Sequence, residues 1–512
     1  METSEQSSGT RLQPLLEERR EPATSSKTCI PQRYVFATLA AIGNAITYGL
    51  KVNLHVSLVT MVNSTATAAG ANGSAGHEAS GAPCASEDAG SSAQLIDGPF
   101  VWDFFVQGIL LSAYFYGYIM TQLIGGRLAE LVSAKYTFGL SLLVNVVLAL
   151  LSPAAAFLGW PYLVAVRVGQ GMAGGVTLPT THVLLARWAP VQERSKMSSI
   201  VYAGMSLGTV ISVPLTGLLI SALDWQSSFY IPAGLAMIPT IAWFFLVYEN
   251  PDVHPWISKE EKELIQGDRP PLSGPVPALP LKALLKSKPF WAILISHTGS
   301  NFGWYMILTE LPTYMAKILG FAIKSNALLS AIPFLVMWVY SIFFGSFMDH
   351  LASKGIVTRT QITKIATSIA AFVPAICLVA VSYVGCQKGL SVLLLTIATG
   401  AIGSMYSGFL SNHISIAPIF AGTLMATTNT IATLPGIIVP SFVGAMIEGN
   451  NTVEQWRIIF GVTSAIFVAH GIQYIFFASA EEEEWAKEAR VKSASTTVSS
   501  PEAEENGQTS SL

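Results

Sequence analysis

The sequence predicts an all-α membrane protein with twelve transmembrane helices arranged as two halves of six. Hydrophobic residues make up 51% of the chain and charged residues 12%, whereas soluble domains carry about 25% charged residues. The apolar residues cluster in runs of about 20, the length an α-helix needs to cross a bilayer. The predicted spans are 34–61, 103–125, 136–158, 161–186, 197–220, 228–248, 289–316, 326–348, 362–384, 389–412, 418–446 and 456–478.

Polar segments divide the chain into five parts. The tails have mixed or acidic charge and few apolar residues, which is typical of disorder. The central polar segment contains a short amphipathic stretch at 258–266 and is predicted to be a cytosolic linker. In order, we predict a disordered cytosolic tail at 1–33, an N-terminal bundle at 34–248 with a loop at 62–100, the linker at 249–288, a C-terminal bundle at 289–478 and a disordered cytosolic tail at 479–512.

The distribution of Lys and Arg predicts that both termini are cytosolic. If the tails, the linker and the loops after even-numbered spans face the cytosol, that side holds 22 of the 28 Lys and Arg residues and the other side holds three. Positive residues accumulate in cytosolic loops. Three N-x-[ST] glycosylation acceptors, Asn63, Asn72 and Asn450, fall in loops on the opposite side, where glycosylation takes place. The two patterns therefore agree.

Four cysteines are too few for a disulfide scaffold. Cys84 and Cys386 both fall in loops on the luminal or extracellular side of this topology. A Cys84–Cys386 disulfide is therefore predicted, with two unpaired loop thiols as the alternative.

A short motif, Gly-x-x-x-acid-x-x-x-x-Lys, follows the second span of each half. The two copies lie 219 residues apart, as expected for duplicated halves with a binding site between them. We expect the acid to cap a helix N-terminus on the cytosolic face and to attract the neighbouring lysine. These conformational loops contain Gly126, Glu130 and Lys135 in the first half and Gly345, Asp349 and Lys354 in the second.

Two cations inside predicted spans are the strongest candidates for a binding site. Lys51 lies in span 1 and Arg167 in span 4, and no carboxylate occurs at a comparable depth in that half. A charge inside a membrane helix is costly and usually faces a polar cavity. A bound anion would be the natural partner, so both residues are predicted to contact substrate. Snorkelling to an interface is the alternative.

Other polar and aromatic residues inside spans are weaker candidates. Tyr116 in span 2 and Asn301 and Tyr305 in span 7 are predicted to line a cavity; packing against lipid or other helices is the alternative. His182 in span 4 is a proton-coupling candidate because histidine titrates near neutral pH, or a buried structural residue. Glu310, near the luminal end of span 7, is either a second coupling candidate or an ordinary interface residue.

Nothing in the sequence resembles a nucleotide-binding loop, a metal cluster or a hydrolytic triad. We therefore expect no enzyme activity, no metal and no cofactor apart from a coupling Na⁺ or H⁺. The expected partners are a small anionic substrate and the lipid bilayer, with no nucleic acid, and the expected state is a monomer.

Several motifs carry a resemblance to a known family over residues 31–480. They are YFYGY at 114–118 with TQ at 121–122, GVTLP at 175–179, WAP at 188–190, ERSK at 193–196, LPTYM at 311–315, AGT at 421–423 and TNT at 428–430. In these motifs the chain resembles the anion-transporter family of the major facilitator superfamily, which contains sialin, the vesicular glutamate transporters and the sodium–phosphate cotransporters. Within that family it is most similar to the sialin-type members and the invertebrate inorganic-phosphate cotransporters.

The resemblance implies that Arg167 and Lys51 bind the substrate anion. The family usually has arginine at the position of Lys51, and lysine keeps the charge but loses bidentate recognition of a carboxylate. Proton-coupled members carry a glutamate where this chain has Gly174, and sialin-like members have another where it has Gln170. His182 matches a family histidine and is the titratable residue that remains.

We therefore expect a secondary active transporter of inorganic phosphate or small organic carboxylates, working by alternating access and coupled to Na⁺ or to the membrane potential. One alternative is a proton-coupled lysosomal or vesicular exporter of acidic sugars or acidic amino acids. Another is a transport-dead membrane receptor or sensor. The expected location is the plasma membrane or an endolysosomal or vesicular membrane.

Overall fold

A computed structural model describes residues 30–63, 98–102, 104–267, 277–319, 323–447 and 452–498 of the chain. In these residues the regular structure is helical, apart from one isolated bridge between Val62 and Phe100. The N-terminal half contains α1 (Gln32–Met61), α2 (Phe104–Leu131), α3 (Ala134–Leu158), α4 (Trp160–Trp188), α5 (Arg194–Ala222) and α6 (Ser227–Leu246).

Two short helices follow in the linker, and the second half is more broken than the first. The predicted tenth span consists of two helices joined by a 3-10 turn at Gly403–Tyr406, and the eleventh is divided before Pro435, which cannot donate a backbone hydrogen bond. The linker helices are α7 (Lys259–Gln266) and α8 (Leu281–Lys286). The later helices are α9 (Lys288–Lys317), α10 (Ile323–Ser353), α11 (Arg359–Val384), α12 (Lys388–Ile402), α13 (Phe409–Ile416), α14 (Ala421–Ala432), α15 (Pro435–Ile447), α16 (Val453–Phe477) and α17 (Glu484–Val498).

Nine helical segments in the described residues are long and apolar enough to cross a membrane. The other three long helices, α2, α4 and α9, have 28, 29 and 30 residues and carry most of the polar candidate residues. The predicted fold class, an all-α membrane protein with twelve spans in two halves, is confirmed.

Close packing of α2 against α4 depends on glycine. A Cβ atom at Gly117 would lie 2.0 Å from the carbonyl oxygen of Val168, and one at Gly171 would lie 2.0 Å from that of Tyr114. Any larger residue would push the two helices apart, since small residues allow this close approach. The glycines therefore hold the aromatic face of α2 against the polar face of α4.

The two halves meet in a seam at the end of the bundle where α1 begins and α16 ends, here called the tail side; the opposite end is the far side. Glu130 of α2 accepts hydrogen bonds from the backbone N–H of Thr423 at 2.6 Å and from its hydroxyl at 2.5 Å. Thr423 lies in the first turn of α14, so a carboxylate of the first half caps a helix of the second.

The second half makes the reciprocal contact. Asp349 of α10 accepts a 2.6 Å hydrogen bond from the backbone N–H of Lys196, in the first turn of α5. Glycine again permits the approach: a Cβ atom at Gly126 would lie 2.7 Å from the carbonyl oxygen of Gly422, and one at Gly345 would lie 2.5 Å from a serine hydroxyl of α5.

The expectation that each acid attracts the neighbouring lysine was wrong. Glu130 pairs with Arg127 at 2.8 Å, and Asp349 pairs with Arg359 at 2.7 Å. Lys135 instead places its ammonium 4.6 Å from the ring centre of Tyr248, and Lys354 is exposed. Arginine suits these half-buried sites because its planar group pairs with a carboxylate while losing less hydration than an ammonium.

The prediction of a disordered tail at 479–512 was wrong for α17. The Trp485 ring lies 5.9 Å from that of Phe420, and Ala486 is fully buried. The N–H of Glu483 donates a 2.9 Å hydrogen bond to the carbonyl of Ile416. The prediction rested on the acidic composition of the tail, in which Trp485 and Ala486 are the apolar residues that anchor the helix. Residues 1–29 and 499–512 lie outside the described part of the chain.

The luminal-side predictions fall mostly outside the described residues. Asn63 is described, and its N–H donates a 2.8 Å hydrogen bond to the carbonyl of Phe100, but Asn72, Asn450 and Cys84 are not. Cys386 is disulfide-bonded. Glycosylation of the three asparagines and the pairing of Cys386 with Cys84 stay predictions.

We expect non-reducing peptide mapping of the purified protein to recover one cross-linked pair that joins the peptides containing Cys84 and Cys386, because both loops are assigned to the same side of the membrane. Cys377, buried in α11 as a free thiol, is the internal control and should be alkylated only after unfolding. Recovery of Cys386 linked to Cys29 would contradict both the pairing and the topology.

Candidate functional site

Arg167 is held in the interior of the N-terminal half. Its side chain is buried, with 1% exposure of the residue. One terminal nitrogen donates to the carbonyl of Lys51 at 2.9 Å, and the other donates to the side-chain oxygen of Gln170 at 3.0 Å and to the carbonyl of Leu50 at 3.4 Å. The buried Nε has no partner. All these acceptors are neutral, so they orient the guanidinium and tie α4 to α1 without cancelling its charge.

Lys51 sits in an aromatic cage, defined here as the five rings whose centres lie within 6 Å of its Nζ atom. A cation is attracted to the faces of such rings at this distance. Four rings belong to the N-terminal half and one to the C-terminal half, so the cage spans the seam. The distances are 4.4 Å to Phe115, 5.1 Å to Tyr48, 5.5 Å to Tyr114, 5.7 Å to Tyr118 and 5.9 Å to Tyr305.

Neither cation forms an ion pair with a carboxylate in the described part of the chain. Snorkelling does not describe them, because Lys51 is 5% and Arg167 1% exposed. A cation–π contact contributes about 0.5–2 kcal/mol, which does not offset the hydration free energy that a cation loses on burial. The two charges therefore create a strong local preference for an anion.

A narrow cavity lies between the halves, next to the cage. Tyr48, Tyr118 and Tyr305 belong to both, so the cage forms the far-side boundary of the cavity. The remaining lining is rich in rings and methionines with a few polar groups. It comprises Leu178, Tyr202, Met205, His297, Asn301, Trp304, Met405, Tyr406, Leu410, Met425 and Asn429.

Asn301 and Tyr305 reach this cavity, as the sequence predicts, but Tyr116 does not. Tyr116 is 54% exposed, on the same face of α2 as Met120 and Ile124, which are 64% and 65% exposed. At about 100° per residue, a helix that turns positions 114 and 118 inward must turn position 116 outward. The prediction that Tyr116 lines the site was wrong for that reason.

The two coupling candidates lie in different places. Glu310 faces a separate, very small crevice within the C-terminal half, among apolar residues such as Leu311 and Trp456. His182 is fully buried on the tail side of the cavity. Its ring nitrogens lie 2.5 Å from the Tyr202 hydroxyl and 3.1 Å from the carbonyl of Leu410 in the opposite half. Only His182 therefore joins the two halves.

Sequence reasoning missed a polar bridge across the cavity. The amide of Asn429 donates to the side-chain oxygen of Gln122 at 2.7 Å and to the Tyr118 hydroxyl at 3.0 Å, and Gln122 donates to the Thr433 hydroxyl at 3.3 Å. The signal that could have found it is an amide side chain inside each of two apolar spans, which is costly unless it has a partner.

Gly174 faces the ring that separates the two cations. A Cβ atom there would lie 2.0 Å from the Tyr114 hydroxyl, so no side chain fits unless the tyrosine moves. The hydroxyl itself is buried without a hydrogen-bond partner. The arginine carbon Cζ of Arg167 lies 5.3 Å from the centre of the same ring. Tyr114 thus fills the space beside Arg167 and contacts both charges.

Hydrogen bonds between the halves occur from the level of the cavity towards the tail side. Examples are Asn429 with Gln122, and the hydroxyls of Ser199 and Ser407 at 2.9 Å. On the far side of the cage, His55 is exposed although it lies one turn beyond Lys51. The described conformation is therefore closed at the tail side.

We expect Lys51→Met to raise the free energy of unfolding of the ligand-free protein by about 1–3 kcal/mol, because it removes a buried, unpaired charge and keeps the volume of the side chain. Thermal unfolding in detergent measures this. Lys282→Met, at an exposed position of the linker, should change stability by less than about 0.5 kcal/mol. A loss of stability in Lys51→Met alone would show that the ammonium has a partner that stabilises its charge.

Comparison with known proteins shows the family to which the chain belongs. Residues 35–440 match the family described as Major Facilitator Superfamily. The chain is 37% identical over 495 residues to a Drosophila melanogaster protein named "Putative inorganic phosphate cotransporter", covering 94% of this chain and 92% of the relative. It is 38% identical over 464 residues to Homo sapiens sialin, covering 91% and 92%.

Among solved structures, the chain matches the proton:xylose symporter XylE of the major facilitator superfamily, which was solved with bound 6-bromo-6-deoxy-D-glucose. The TM-score is 0.64 at 14% sequence identity, and the match covers 89% of this chain and 98% of that one. At that identity the likeness concerns the fold alone. Together with the sequence relatives it establishes a multi-pass membrane protein with a transporter fold. The chain belongs to the major facilitator superfamily, in the anion-transporter family that holds sialin, the vesicular glutamate transporters and the inorganic phosphate cotransporters.

Proposed function

We propose that this protein is a secondary active transporter of small organic carboxylates that works by alternating access. The observation that carries the proposal is the pair of buried cations, Lys51 and Arg167, which have no carboxylate partner among the described residues and lie beside a cavity shared by both halves. Arg167 keeps an unpartnered Nε, and the ammonium of Lys51 is free of hydrogen-bonded acids. A substrate anion would supply the missing negative charge.

The lining of the cavity favours an organic anion over phosphate. A lining with several tyrosines, a tryptophan and three methionines offers apolar surface that a compact tetrahedral ion cannot use, whereas the carbon body of a carboxylate can bury against it. Asn301 and Asn429 would then contact polar groups on that body. Inorganic phosphate is the second substrate candidate, because the Drosophila relative is named as an inorganic phosphate cotransporter.

The tail-side seam supports alternating access. Opening that side requires Glu130 to leave the first turn of α14 and Asp349 to leave the first turn of α5. Both contacts are capping bonds between rigid halves, which can separate as units. With the tail side assigned to the cytosol by the Lys and Arg distribution, the described conformation would receive substrate from the lumen or the exterior. We infer a monomer with cytosolic termini, in the plasma membrane or an endolysosomal or vesicular membrane, without enzyme activity or nucleic-acid binding.

The composition of the cavity lining limits which ion can be coupled to transport. Na⁺ prefers oxygen ligands, usually including a carboxylate, and the described lining contains no carboxylate. It does contain His297, and His182 lies next to it in the seam. These residues favour proton coupling over Na⁺ and make proton-driven export of acidic sugars or acidic amino acids from lysosomes or vesicles the second candidate function. Transport driven by the membrane potential alone is the remaining possibility.

We expect Arg167→Ala to lower uptake of the transported carboxylate into proteoliposomes by about 30-fold or more, because losing one partner of a buried, charge-assisted contact costs 2 kcal/mol or more. The matched control is Arg457→Ala, at an exposed arginine of α16, which should transport at the wild-type rate. Equal uptake by both variants would contradict the assignment of Arg167 to the substrate site.

A substrate panel tests the substrate class. We expect wild-type proteoliposomes to accumulate at least one of labelled glucuronate, N-acetylneuraminate and glutamate, and to take up phosphate more slowly. Imposing a proton gradient, a Na⁺ gradient and a potential one at a time identifies the driving force. Fast phosphate uptake that requires Na⁺ would favour phosphate as the substrate. Folded protein that transports none of the four compounds under any gradient would favour the alternative function as a receptor.

A further inference from the structure

Three buried histidines from both halves meet on the tail side of the cavity. They are His182 of α4, His297 of α9 and His413 of α13, with exposures of 0%, 3% and 0%. The ring centres of His182 and His413 lie 5.3 Å apart, and those of His297 and His413 lie 6.0 Å apart. His297 also lines the cavity. The anion site uses none of them, so this histidine cluster needs its own explanation.

The partners of the ring nitrogens restrict where the protons of the cluster can sit. The Nδ1 of His413 lies 3.0 Å from the carbonyl oxygen of Leu410, which can only accept, so Nδ1 carries a hydrogen. In a neutral ring the Nε2 atom is then bare, and it lies 2.7 Å from the Thr428 hydroxyl, which can donate to it or, at 3.3 Å, to the carbonyl oxygen of Met425. That hydroxyl has one hydrogen, so it accepts from the Nδ1 of His297 at 3.1 Å. The Nε2 of His297 is consequently bare.

His182 connects this chain to the other half. Its Nε2 lies 3.1 Å from the same Leu410 carbonyl and donates to it in the tautomer that carries the ring hydrogen on Nε2. Its Nδ1 accepts from the Tyr202 hydroxyl at 2.5 Å and lies 3.2 Å from the carbonyl of Leu178. The carbonyl of Leu410 is thus shared by a histidine of each half. This bond belongs to the same seam as the caps of Glu130 and Asp349.

The surroundings contain no charge that would neutralise a protonated ring. The titratable groups facing the cluster are Tyr202 of α5, whose ring lies 5.0 Å from that of His182, and Tyr406 behind it at 6.1 Å from Tyr202. Phe409 covers the ring of His297. No carboxylate, lysine or arginine contacts the three rings in the described part of the chain. An imidazolium trapped here would be an unpaired buried charge, which costs several kcal/mol.

We propose that the histidine cluster is a proton-binding site and that its protonation from the cavity opens the tail side. The juxtaposition that carries the proposal is a continuous hydrogen-bonded path from His297 in the cavity lining, through Thr428, to His413, whose neighbour His182 belongs to the opposite half. The ligand is a proton, and the moving part is the seam between the halves. The inference rests on the proposed function, because it supplies the coupling step of the same alternating-access cycle.

The proton transfer balances along this path. A proton from the cavity bonds to the bare Nε2 of His297. The Nδ1 proton of His297 then passes to the Thr428 oxygen, while the Thr428 hydroxyl proton passes to the Nε2 of His413. Thr428 ends as a hydroxyl and His297 as a neutral ring with its hydrogen on Nε2. His413 ends as an imidazolium, so one positive charge has moved from the cavity to the seam.

That charge destabilises the closed tail side. The imidazolium of His413 strengthens its own bond to the Leu410 carbonyl and so weakens the bond that His182 makes to it. Separation of the halves admits water to the charged ring and removes the desolvation cost. An anionic substrate in the cavity would favour arrival of the proton by attraction, so proton and anion would move together from the far side to the tail side.

Double electron–electron resonance tests the gate without any substrate. Spin labels are attached at Val132→Cys and Ile356→Cys, which are 74% and 62% exposed near the tail-side ends of the two halves, in a background with Cys29→Ser and Cys377→Ala. In lipid nanodiscs we expect one short distance at about pH 7.5 and a shift of population to a longer distance at about pH 5.5, on either side of the range where imidazole ordinarily titrates.

Variants locate the response. His297→Gln and His413→Gln should lose the shift, and Thr428→Val should lose it while keeping both rings. The matched control is His470→Gln, at a buried histidine of the same half whose ring nitrogens have no partner; it should keep the shift. An unchanged distance distribution in the wild type at both pH values overturns the proposal whatever the variants do, and so does a shift that survives in His297→Gln and His413→Gln.

Because no substrate is present, this result is independent of the uptake assays. If the protein shows the shift yet transports no carboxylate, the proposed gate stands and the proposed function is wrong. If it takes up carboxylate without the shift, the proposed function stands and the proposed gate is wrong.

Discussion

Two buried positive charges, which lack a carboxylate partner in the part of the chain that the structure describes, govern the arrangement of the N-terminal half. Arg167 binds the backbone carbonyls of Leu50 and Lys51, and this contact sets α4 against α1. The glycines between α2 and α4 then bring aromatic rings around the ammonium of Lys51. One ring of the cage, Tyr305, comes from the other half. The environment of the charge therefore depends on how the halves are placed, so a bound anion and the position of the halves influence each other.

Features that belong to single helices could be predicted from the sequence. Spans follow from apolar runs, and Lys51 and Arg167 stand out because charges are rare inside them. Which of the neighbouring aromatic residues line the cavity could not be predicted. Residues 114–118 are almost all aromatic, so no periodicity indicates which of them face inward, and the prediction for Tyr116 was wrong. Contacts between halves, such as Glu130 with Thr423, join residues 293 positions apart, and no local pattern reports them. The apolar anchors of α17 were hidden by the acidic residues around them.

The seam between the halves has layers with different chemistry. At the tail-side surface, carboxylates cap helix N-termini. One level deeper lie serine hydroxyls and the histidine cluster, and the amide bridge of Asn429 with Gln122 follows at the cavity. Each layer contributes hydrogen bonds, and buried apolar residues of both halves pack in one cluster around them. When the halves separate, water can replace the broken hydrogen bonds.

The reciprocal caps restrict which substitutions the family of sequences can accept. Asp349 bonds to the backbone N–H of Lys196, and every amino acid except proline provides that donor. This contact therefore sets no requirement on the side chain at position 196, which instead donates to the Tyr34 hydroxyl at 2.7 Å, whereas it requires the carboxylate at position 349. Glu130 also binds the hydroxyl of Thr423, which restricts its partner to serine or threonine. Natural variation should thus be unequal between the two seam contacts, although their geometry is nearly the same.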